Sequence, residues 1–347
     1  GDTIEADRTV TFLGLKAGLF TADGRDHAGE VFLETLGDPL PEIAGRLLTV
    51  ETVRELIPVR RHQSHKGSYG NVGIIGGTDG MIGAAVLAAR AALFMGPGKV
   101  YLGIAAKDMP TFDPLNPEVM VRRAEDLIND EAVTAIAIGM GLGTERAAPR
   151  LVSAALTRGL PMVLDADALN LIATTPSLAA LLTQDLPKSS TGAASGAEMP
   201  GEPRQCLRLV LTPHPGEAAR LLNVPAGDLQ ADRVAAALAL ARRFNAVVVL
   251  KGSGTVIAAA DGRYFINSSG NPGMASGGMG DALSGMIGAL LAQGLNALDA
   301  ACLAVYLHGA AADACIEHGM APHGLTASEV IFEARSLLNA GLEGHAH

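Results

Sequence analysis

Short apolar runs rich in β-branched residues alternate along the chain with longer segments rich in alanine and leucine. Apolar runs of this length are typical of strands buried on both faces, and the longer segments are long enough to form helices. The repeated order predicts a three-layer α/β/α fold with a mostly parallel central sheet. The predicted parallel strands are residues 72–75, 99–104, 135–138, 162–164, 209–211 and 247–250.

A hairpin and an insertion interrupt this regular alternation. Residues 255–260 and 264–266 flank Asp261-Gly262, a dipeptide that favours a tight turn, so antiparallel strands are predicted near an edge of the sheet. Residues 184–205 combine small polar residues with prolines, which predicts a surface loop without chemistry of its own.

The composition favours a large α/β domain that binds a small ligand. The chain has 347 residues, of which 48% are hydrophobic and 18% charged, with 42 glycines and no tryptophan. Small residues allow helices to pack closely on a sheet. The net charge is −10 and the basic residues are scattered, which argues against nucleic-acid binding.

Cysteine spacing and the length of the apolar runs indicate the cellular compartment of the protein. Cys206, Cys302 and Cys315 have no CxxC or Cys/His spacing, so we expect reduced thiols in the cytoplasm and neither disulfides nor a zinc site. Apolar runs such as residues 83–95 are interrupted by Arg90, and no charged-then-apolar leader precedes them. We therefore expect no membrane partner.

The strongest chemical signal is a glycine-rich stretch, residues 267–281, that ends at a carboxylate and runs into an apolar segment. That segment predicts a helix over about residues 281–291, whose open first amides would face the loop. Such a helix start can bind phosphate. Asp281 would either cap this helix or take a proton from a hydroxyl lined up for phosphoryl attack. The predicted anion hole comprises Gly277, Gly278, Met279 and Gly280.

Two other glycine-rich turns follow predicted strands. Residues 70–80 lack GxGxxG spacing, and the next strand leads to Lys107 where a ribose-binding carboxylate would be expected, so a redox dinucleotide site is disfavoured. Residues 139–143 form either a tight turn or a source of amides for a ligand, and the sequence alone leaves both interpretations open.

Polar side chains at three further strand ends are candidate ligands. Asp165 and Asp167 suit a hydrated cation or a substrate hydroxyl, although Asp167 is as well suited to capping a helix. His214 lies between two prolines that restrict its backbone, which favours a ligand contact over a purely structural role. Lys251 opens a stretch of glycines and hydroxyls that suits nucleotide phosphate or ribose, the alternative being a solvated turn.

These turns all lie at the carboxyl ends of predicted strands with the carboxylate last, an order that resembles the ribokinase-like superfamily. A closer resemblance, to the NAD(P)H-hydrate dehydratase family, covers about residues 50–340. The block from Asn271 to Ala275 and the HPGE sequence are highly specific, whereas the insertion departs from the compact family pattern. The motifs are His65-Lys-Gly-Ser-Tyr-Gly, Ile75-Gly-Gly, Asp165-Ala-Asp-Ala-Leu-Asn, Thr212-Pro-His-Pro-Gly-Glu, Lys251-Gly-Ser-Gly-Thr and residues 270–281.

The resemblance implies a ribokinase-like fold and dehydration of (6S)-NADHX or (6S)-NADPHX, the hydrated reduced cofactors. ADP, or ATP in eukaryotic relatives, would phosphorylate the C6 hydroxyl of the nicotinamide ring, and phosphate would then be eliminated. Mg²⁺ is implied by phosphoryl transfer, with Asp165, Asp167 and Glu217 as candidate ligands, directly or through water. A homotetramer or higher homo-oligomer is also implied.

The resemblance assigns roles to individual residues. Asp281 would be the catalytic base. The nucleotide would be held by Lys251, Gly252, Ser253, Gly254, Thr255 and Gly280. The hydrated dinucleotide would be held by Ala84, Gly143, His214 and Asp281.

The first 45 residues carry a separate signal. Residues 6–20 and 29–33, with strands predicted near 9–12 and 30–33, resemble the carboxyl end of the NAD(P)H-hydrate epimerase domain that is often fused ahead of the dehydratase. Because Gly1 is no natural start, we expect a fragment of a multifunctional chain, with residues 1–45 as an epimerase remnant and 46–347 as the dehydratase domain. The alternative is a coincidental pair of strands that caps the sheet. Trimming to about Leu47 is expected to leave dehydration intact.

Two other functions fit part of the pattern. A ribokinase-like kinase for a small alcohol, such as a vitamin precursor, would release a stable phosphoester. A non-catalytic nucleotide sensor would need the glycine cradle but no base, so Asp281 argues against it.

Overall fold

One large sheet forms the centre of the molecule. The computed structural model describes residues 3–37, 43–145, 147–182, 208–320 and 322–341. The predicted insertion at 184–205, like Cys206, lies outside these described residues. The strands are β1 (Arg8–Phe12), β2 (Glu30–Glu34), β3 (Gly45–Leu48), β4 (Asn71–Gly76), β5 (Lys99–Ile104), β6 (Met120–Arg123), β7 (Ala135–Ile138), β8 (Met162–Leu164), β9 (Leu209–Leu211), β10 (Val247–Leu250), β11 (Val256–Ala258) and β12 (Tyr264–Asn267).

The order of the strands places β3 and β6 at the two edges and the site-bearing strands in the middle. Ten strands pair in the order β3-β12-β11-β10-β9-β8-β7-β4-β5-β6. Within this sheet β11 is antiparallel to both β10 and β12, and the other pairs are parallel. The carboxyl ends of β4 and β7 to β10 therefore meet at one edge, where ligands of open α/β sheets bind.

Helices cover both faces of the sheet. In β10, Val247 and Val249 pack with one group of helices, and Val248 and Leu250 pack with the other, because successive side chains of a strand point to opposite faces. The helices are α1 (Gly24–His27), α2 (Val50–Arg54), α3 (Ile82–Phe94), α4 (Ala124–Leu127), α5 (Ala148–Thr157), α6 (Asp167–Thr174), α7 (Pro176–Leu182), α8 (Pro215–Leu222), α9 (Ala226–Ala231), α10 (Arg233–Phe244), α11 (Met279–Ala292), α12 (Ala297–Glu317) and α13 (Ala327–Asn339). Helices α3 and α11 to α13 cover one face, and α4 to α10 cover the other.

Helix α12 is longer and more apolar than the sequence analysis allowed for. By length and composition alone its 21 residues could cross a membrane, but most of the helix is buried inside the molecule. It packs against α11 and α13. A buried core helix can be as long and as apolar as a membrane-spanning helix, so the burial of α12 accounts for its composition.

The structure confirms the six predicted parallel strands and the hairpin around Asp261. The prediction missed two strands of the large sheet, β3 and β6. In β6 only partly buried and exposed side chains occur, and β3 contributes just four residues at the opposite edge. Edge strands of this kind lack the continuous apolar run that marks a strand buried on both faces.

The amino-terminal strands β1 and β2 form a separate parallel pair. Several of their apolar side chains face outward: Val10 is 57% exposed and Phe12 is 51% exposed. The large sheet begins with β3, whose Gly45 pairs with Tyr264. The expected domain boundary between residues 45 and 46 therefore falls one residue inside a strand of the large sheet.

Candidate active site

The glycine-rich stretch leads into helix α11, as the sequence predicts, but the helix begins two residues earlier than expected. Gly278 is its N-cap with φ 91°, a conformation that favours glycine, and the first helical residue is Met279. Any Cβ at Gly278 would also lie 2.5 Å from the Leu87 side chain. The first hydrogen bond of the helix is donated by Ala282 N to Gly278 O at 2.9 Å. The amides of the first turn are therefore open toward the loop.

Asp281 is the third residue of α11 and does not cap it, which excludes the capping alternative. Its carboxyl is partly buried, and its pKa is raised to about 6, with burial as the largest cause. The neighbouring Asp165 raises the pKa further and Asp167 adds a smaller effect in the same direction, while Lys251 opposes them. A carboxyl with a pKa near neutrality is suited to accepting a proton from a hydroxyl.

A buried polar network lies beside Asp281. Lys251 Nζ donates to Asp165 Oδ1 at 2.8 Å, and Ser284 Oγ donates to Asp165 Oδ2 at 2.8 Å. Thr212 Oγ1 lies 3.4 Å from Ser284 Oγ. Because Ser284 follows Asp281 by three residues on α11, the network ties the helix that carries Asp281 to the ends of β8, β9 and β10.

Lys251 is at the centre of this site. Burial works to lower the pKa of its ammonium, but Asp165, followed by Glu217 and Asp281, raises it above the ordinary value, so the group is charged. A methyl group at Gly280 would lie 3.2 Å from Lys251 Nζ, which places the ammonium against the first turn of α11. An ammonium has three donors, and the contact with Asp165 uses one of them.

His214 has a structural role that the sequence analysis did not assign to it. Its Nδ1 accepts hydrogen bonds from the amides of Gly216 and Glu217, and Glu217 Oε2 accepts one from His214 N at 2.8 Å, which together cap helix α8. Burial, followed by the charge of Lys251, lowers the pKa of His214. Its Nε2 lies 3.4 Å from Glu217 Oε1, but the imidazole side chain is 51% exposed, so the ring is still open to a ligand.

The glycine-rich turns at residues 70–80 and 139–143 lie side by side. Thr78 N donates to Gly141 O at 2.6 Å, and Gly143 N donates to Asp167 Oδ2 at 2.8 Å. Asp167 is the first residue of α6 and its carboxylate makes no side-chain cap there, so the capping alternative is wrong for this residue as well. A methyl group at Gly141 would lie 3.2 Å from the Ala84 Cβ, and one at Gly143 would lie 3.3 Å from the Thr78 side chain, so Ala84 lies beside the turn that carries Gly143.

The loop of residues 251–255 does not bring all its predicted nucleotide contacts to Asp281. Lys251 and Gly280 meet there, whereas Thr255 Oγ1 closes the loop on Gly252 O at 3.0 Å, and Ser253 Oγ donates to Ala22 O at 3.2 Å. Gly252 and Ser253 are exposed and Gly254 is buried. The first two are thus open to a ligand, and Ser253 also faces the amino-terminal segment.

Two residues that sequence reasoning missed hold the loops of the site in place. Arg233 is 3% exposed, and its Nη2 donates to Leu250 O and Lys251 O at 3.1 Å each. Asp313 accepts from Gly270 N at 2.7 Å and from Asn271 Nδ2 at 3.0 Å. Both lie within helices, where a charged side chain is common, so no local signal distinguishes them from ordinary helix charges.

The candidate metal ligands already serve protein contacts. Asp165 binds Lys251 and Ser284, Glu217 caps α8 through His214, and Asp167 binds Gly143 N. Among the described residues, no group of three or more His, Cys, Asp or Glu side chains could hold a metal ion. This donor set fits Mg²⁺ only as an ion held mainly by nucleotide phosphates and water, which is how magnesium commonly binds in phosphoryl-transfer sites.

Comparison with solved structures defines the class of the protein. The chain is similar to an ADP/ATP-dependent NAD(P)H-hydrate dehydratase from Bacillus subtilis co-crystallised with ATP and Mg²⁺, with a TM-score of 0.70 and 33% identity over 85% of this chain and 98% of that one. A ribokinase-like superfamily protein from Enterococcus faecalis matches with a TM-score of 0.70 and 25% identity, over 88% and 99% of the two chains. The fold is therefore ribokinase-like.

Sequence comparison narrows that class to one family. Residues 72–187 and 193–333 match the family model described as NAD(P)H-hydrate dehydratase, and the chain belongs to this family. It is 42% identical to an ADP-dependent (S)-NAD(P)H-hydrate dehydratase from Neisseria meningitidis over 81% of this chain and 88% of that protein. It is also 39% identical, over 98% of its length, to a bifunctional NAD(P)H-hydrate repair enzyme from Coxiella burnetii, of which it spans 66%.

Proposed function

We propose that the chain catalyses the ADP-dependent dehydration of (6S)-NADHX or (6S)-NADPHX to NADH or NADPH. The observation that carries this proposal is the position of Asp281, whose carboxyl has a pKa of about 6 beside the open first turn of a helix. A base and an anion-binding helix start in one place are what phosphorylation of a hydroxyl needs. Membership of the dehydratase family supports the same reaction.

The proposed reaction has two steps. The oxygen of the C6 hydroxyl bonds to the terminal phosphorus of ADP while the bond from that phosphorus to the bridging oxygen breaks, which releases AMP, and Asp281 accepts the hydroxyl proton. The C6–O bond then breaks with loss of phosphate, and a proton leaves the neighbouring ring carbon, which restores the ring double bond. Hydroxide is a poor leaving group at neutral pH, so phosphorylation makes this second step possible.

The chain's own groups divide the work of the first step. The amides of Gly278, Met279 and Gly280 would donate to the phosphoryl oxygens, and the unused donors of Lys251 would balance their charge. Asp165 and Ser284 would hold Lys251 and α11 in fixed relation, so the base and the anion site keep their spacing. When bound with the nucleotide, Mg²⁺ would neutralise part of the phosphate charge.

The dinucleotide would occupy the other side of the site. Ala84 lies there near the start of α3 and Gly143 lies in the second glycine turn, and the half-exposed imidazole of His214 follows β9. We assign these residues, together with Asp281, to the hydrated substrate. The nucleotide would lie over Lys251 to Thr255 and Gly280.

The test is turnover by the full chain of hydrated NADH with ADP or ATP, measured as recovery of the near-ultraviolet absorbance of the reduced nicotinamide ring. Release of phosphate in equal amounts with NADH, together with AMP from ADP or ADP from ATP, would support the proposal. Accumulation of a stable phosphoester would indicate a kinase instead, and nucleotide binding without turnover would indicate a sensor. ADP is the expected donor because the Neisseria meningitidis relative is named ADP-dependent.

We infer that residues 1–45 are the end of an epimerase domain and that the natural protein is multifunctional. Two observations support this inference. The bifunctional relative aligns over 98% of the chain, whereas the relative named only as a dehydratase aligns over 81%. The separate β1–β2 pair also has exposed apolar side chains, as a detached part of a larger sheet would. An epimerase assay of this chain is expected to give no activity.

We further propose a cytoplasmic homo-oligomer, a tetramer or larger. The two described cysteines, Cys302 and Cys315, are free and buried, which is typical of proteins from a reducing compartment. Phe112 is 57% exposed and Leu115 is 72% exposed, and such neighbouring apolar side chains commonly lie in subunit contacts. Light scattering after size-exclusion chromatography measures the oligomeric mass directly.

A further inference from the structure

The amino-terminal segment lies directly on the loop assigned to the nucleotide. Ala22 N donates to Ser253 O at 3.0 Å, and Ser253 Oγ donates to Ala22 O at 3.2 Å, so each residue is both donor and acceptor. Ala22 has φ 49°, a left-handed conformation that alanine rarely adopts on its own. Such a conformation persists where surrounding contacts hold it.

The packing at this contact leaves no free space. Gly254 is buried with φ 63°, and a Cβ there would lie 1.8 Å from Phe20 O. Ala17 and Phe20 also pack against the apolar cluster on one face of the large sheet. The segment therefore holds the nucleotide loop by close backbone contact as well as by hydrogen bonds.

A second contact reaches the loop that leads to the catalytic carboxylate. Arg25 Nη2 donates to Ser268 O at 2.7 Å and to Gly270 O at 3.2 Å. On the other side, Gly270 N donates to Asp313 Oδ2 at 2.7 Å. The start of this loop is thus held between a guanidinium from the amino-terminal segment and a carboxylate from α12.

We propose that residues 17–27, here called the brace, position the nucleotide site, and that Arg25 is the positioning residue within it. The proposal rests on the proposed function, because it assigns the brace to the same nucleotide loop. A loop ordered before binding does not lose that conformational freedom when the nucleotide binds, so its affinity is higher. Loss of the brace contact therefore weakens nucleotide binding more than it slows the chemical step.

This proposal replaces the expectation that the chain can be trimmed to about Leu47 without effect. Trimming would remove the brace and also Gly45 to Leu47, three of the four residues of the edge strand β3. Point substitutions in the full chain separate these two losses.

The experiment compares Arg25→Ala, Arg25→Lys and the control Arg8→Ala in the full chain. Arg8 lies in the same amino-terminal region with its side chain 74% exposed, and it pairs only with Glu30 in the described structure, apart from its contact with the Phe32 ring. We expect Arg25→Ala to raise the KM for ADP roughly fivefold with kcat within about twofold of the original, which corresponds to one lost charge-assisted contact. Arg25→Lys should restore part of the loss, and Arg8→Ala should match the original protein.

Hydrogen exchange supplies a readout that does not depend on turnover. Peptides covering residues 252–255 and 268–273 should exchange faster in Arg25→Ala at an unchanged melting temperature. If the original protein binds ADP but has no dehydratase activity, the proposed function fails while exchange still tests the brace. An unchanged KM with unchanged exchange would overturn the brace proposal. A fall in both kcat and melting temperature, with the KM for ADP unchanged, would also overturn it. If Arg25→Ala does not fold, Arg25→Gln keeps an uncharged amide donor group and allows the same comparison.

Discussion

The strand-end site and the amino-terminal sheet both contain parallel strands, yet the site buries polar side chains whereas the amino-terminal sheet exposes apolar ones. At the site, Asp165 is 1% exposed and Ser284 is fully buried, and both have hydrogen-bond partners. In the amino-terminal pair, Val10 and Phe12 are each more than half exposed. Buried polar groups interact strongly because little water screens them, whereas exposed apolar groups contribute little to folding. Substitutions in the two regions should therefore differ greatly in effect.

The largest effect is expected at Asp281. Asp281→Asn keeps the size of the side chain and removes the basic oxygen, so turnover should fall roughly 100- to 10,000-fold with nucleotide affinity retained. Steady-state kinetics with hydrated NADH and ADP measure this loss. Asp261→Asn is the matched control, because Asp261 lies in an exposed hairpin turn and its replacement should leave turnover unchanged. Turnover by Asp281→Asn near that of the original protein would exclude Asp281 as the base.

The polar network should show the next largest effect. Asp165→Asn leaves the ammonium of Lys251 largely buried without its carboxylate, and we expect a loss of about 3 kcal/mol in the free energy of unfolding. Ser284→Ala removes one donor to the same carboxylate and should cost about 1.5 kcal/mol. Chemical denaturation compares the two. Equal losses would mean that the Lys251 contact is not the stronger one.

The raised pKa of Asp281 makes stability depend on pH in an unusual direction for a carboxyl. Between its ordinary pKa and about 6 the folded state binds more protons than the unfolded state, so stability falls as pH rises through this window. Above about pH 6 the charged carboxyl destabilises the fold in full. Asp281→Asn should therefore be more stable than the original protein at neutral pH, by on the order of 1 to 2 kcal/mol. The difference should vanish near pH 4, and a constant difference across this range would contradict the assignment.

Activity should follow the same carboxyl. Because the base must be deprotonated, kcat/KM should fall about tenfold for each pH unit below about 6. The groups that face Asp281 are Asp165 and Asp167, which raise its pKa, and Lys251, which lowers it. Asp167→Asn should therefore move the midpoint of the pH profile slightly downward. A midpoint near the ordinary pKa of aspartate would show that the site is more hydrated than its structure implies.

The sequence predicted most of this site because each strand-end turn carries its own local signal. The apolar strands, the glycine turns, Lys251 and Asp281 can each be identified from a few adjacent residues. Their meeting at one edge follows from parallel strands alone. The start of α11 was misplaced by two residues because Gly278 adopts a left-handed φ that only the structure defines.

Contacts between distant segments could not be predicted in this way. Ser284 meets Asp165 across 119 residues, and Arg25 meets Ser268 across 243. Neither serine nor arginine at these positions is unusual in a helix or a turn. Their roles arise from packing, which single-segment patterns do not contain.

The smallest effect is expected in the amino-terminal sheet, where a matched pair of substitutions tests the opening comparison directly. Val10→Thr and Val249→Thr make the same change in two strands, but Val10 is 57% exposed and Val249 is fully buried. The hydroxyl at residue 10 stays in contact with water, so the free energy of unfolding should change by less than about 0.5 kcal/mol. At residue 249 the hydroxyl loses its water contacts, and a loss of roughly 1 to 3 kcal/mol is expected. A loss of that size at residue 10 as well would show that another surface covers the β1–β2 pair in solution, and its dependence on protein concentration would then distinguish a second copy of the chain from the rest of the same molecule.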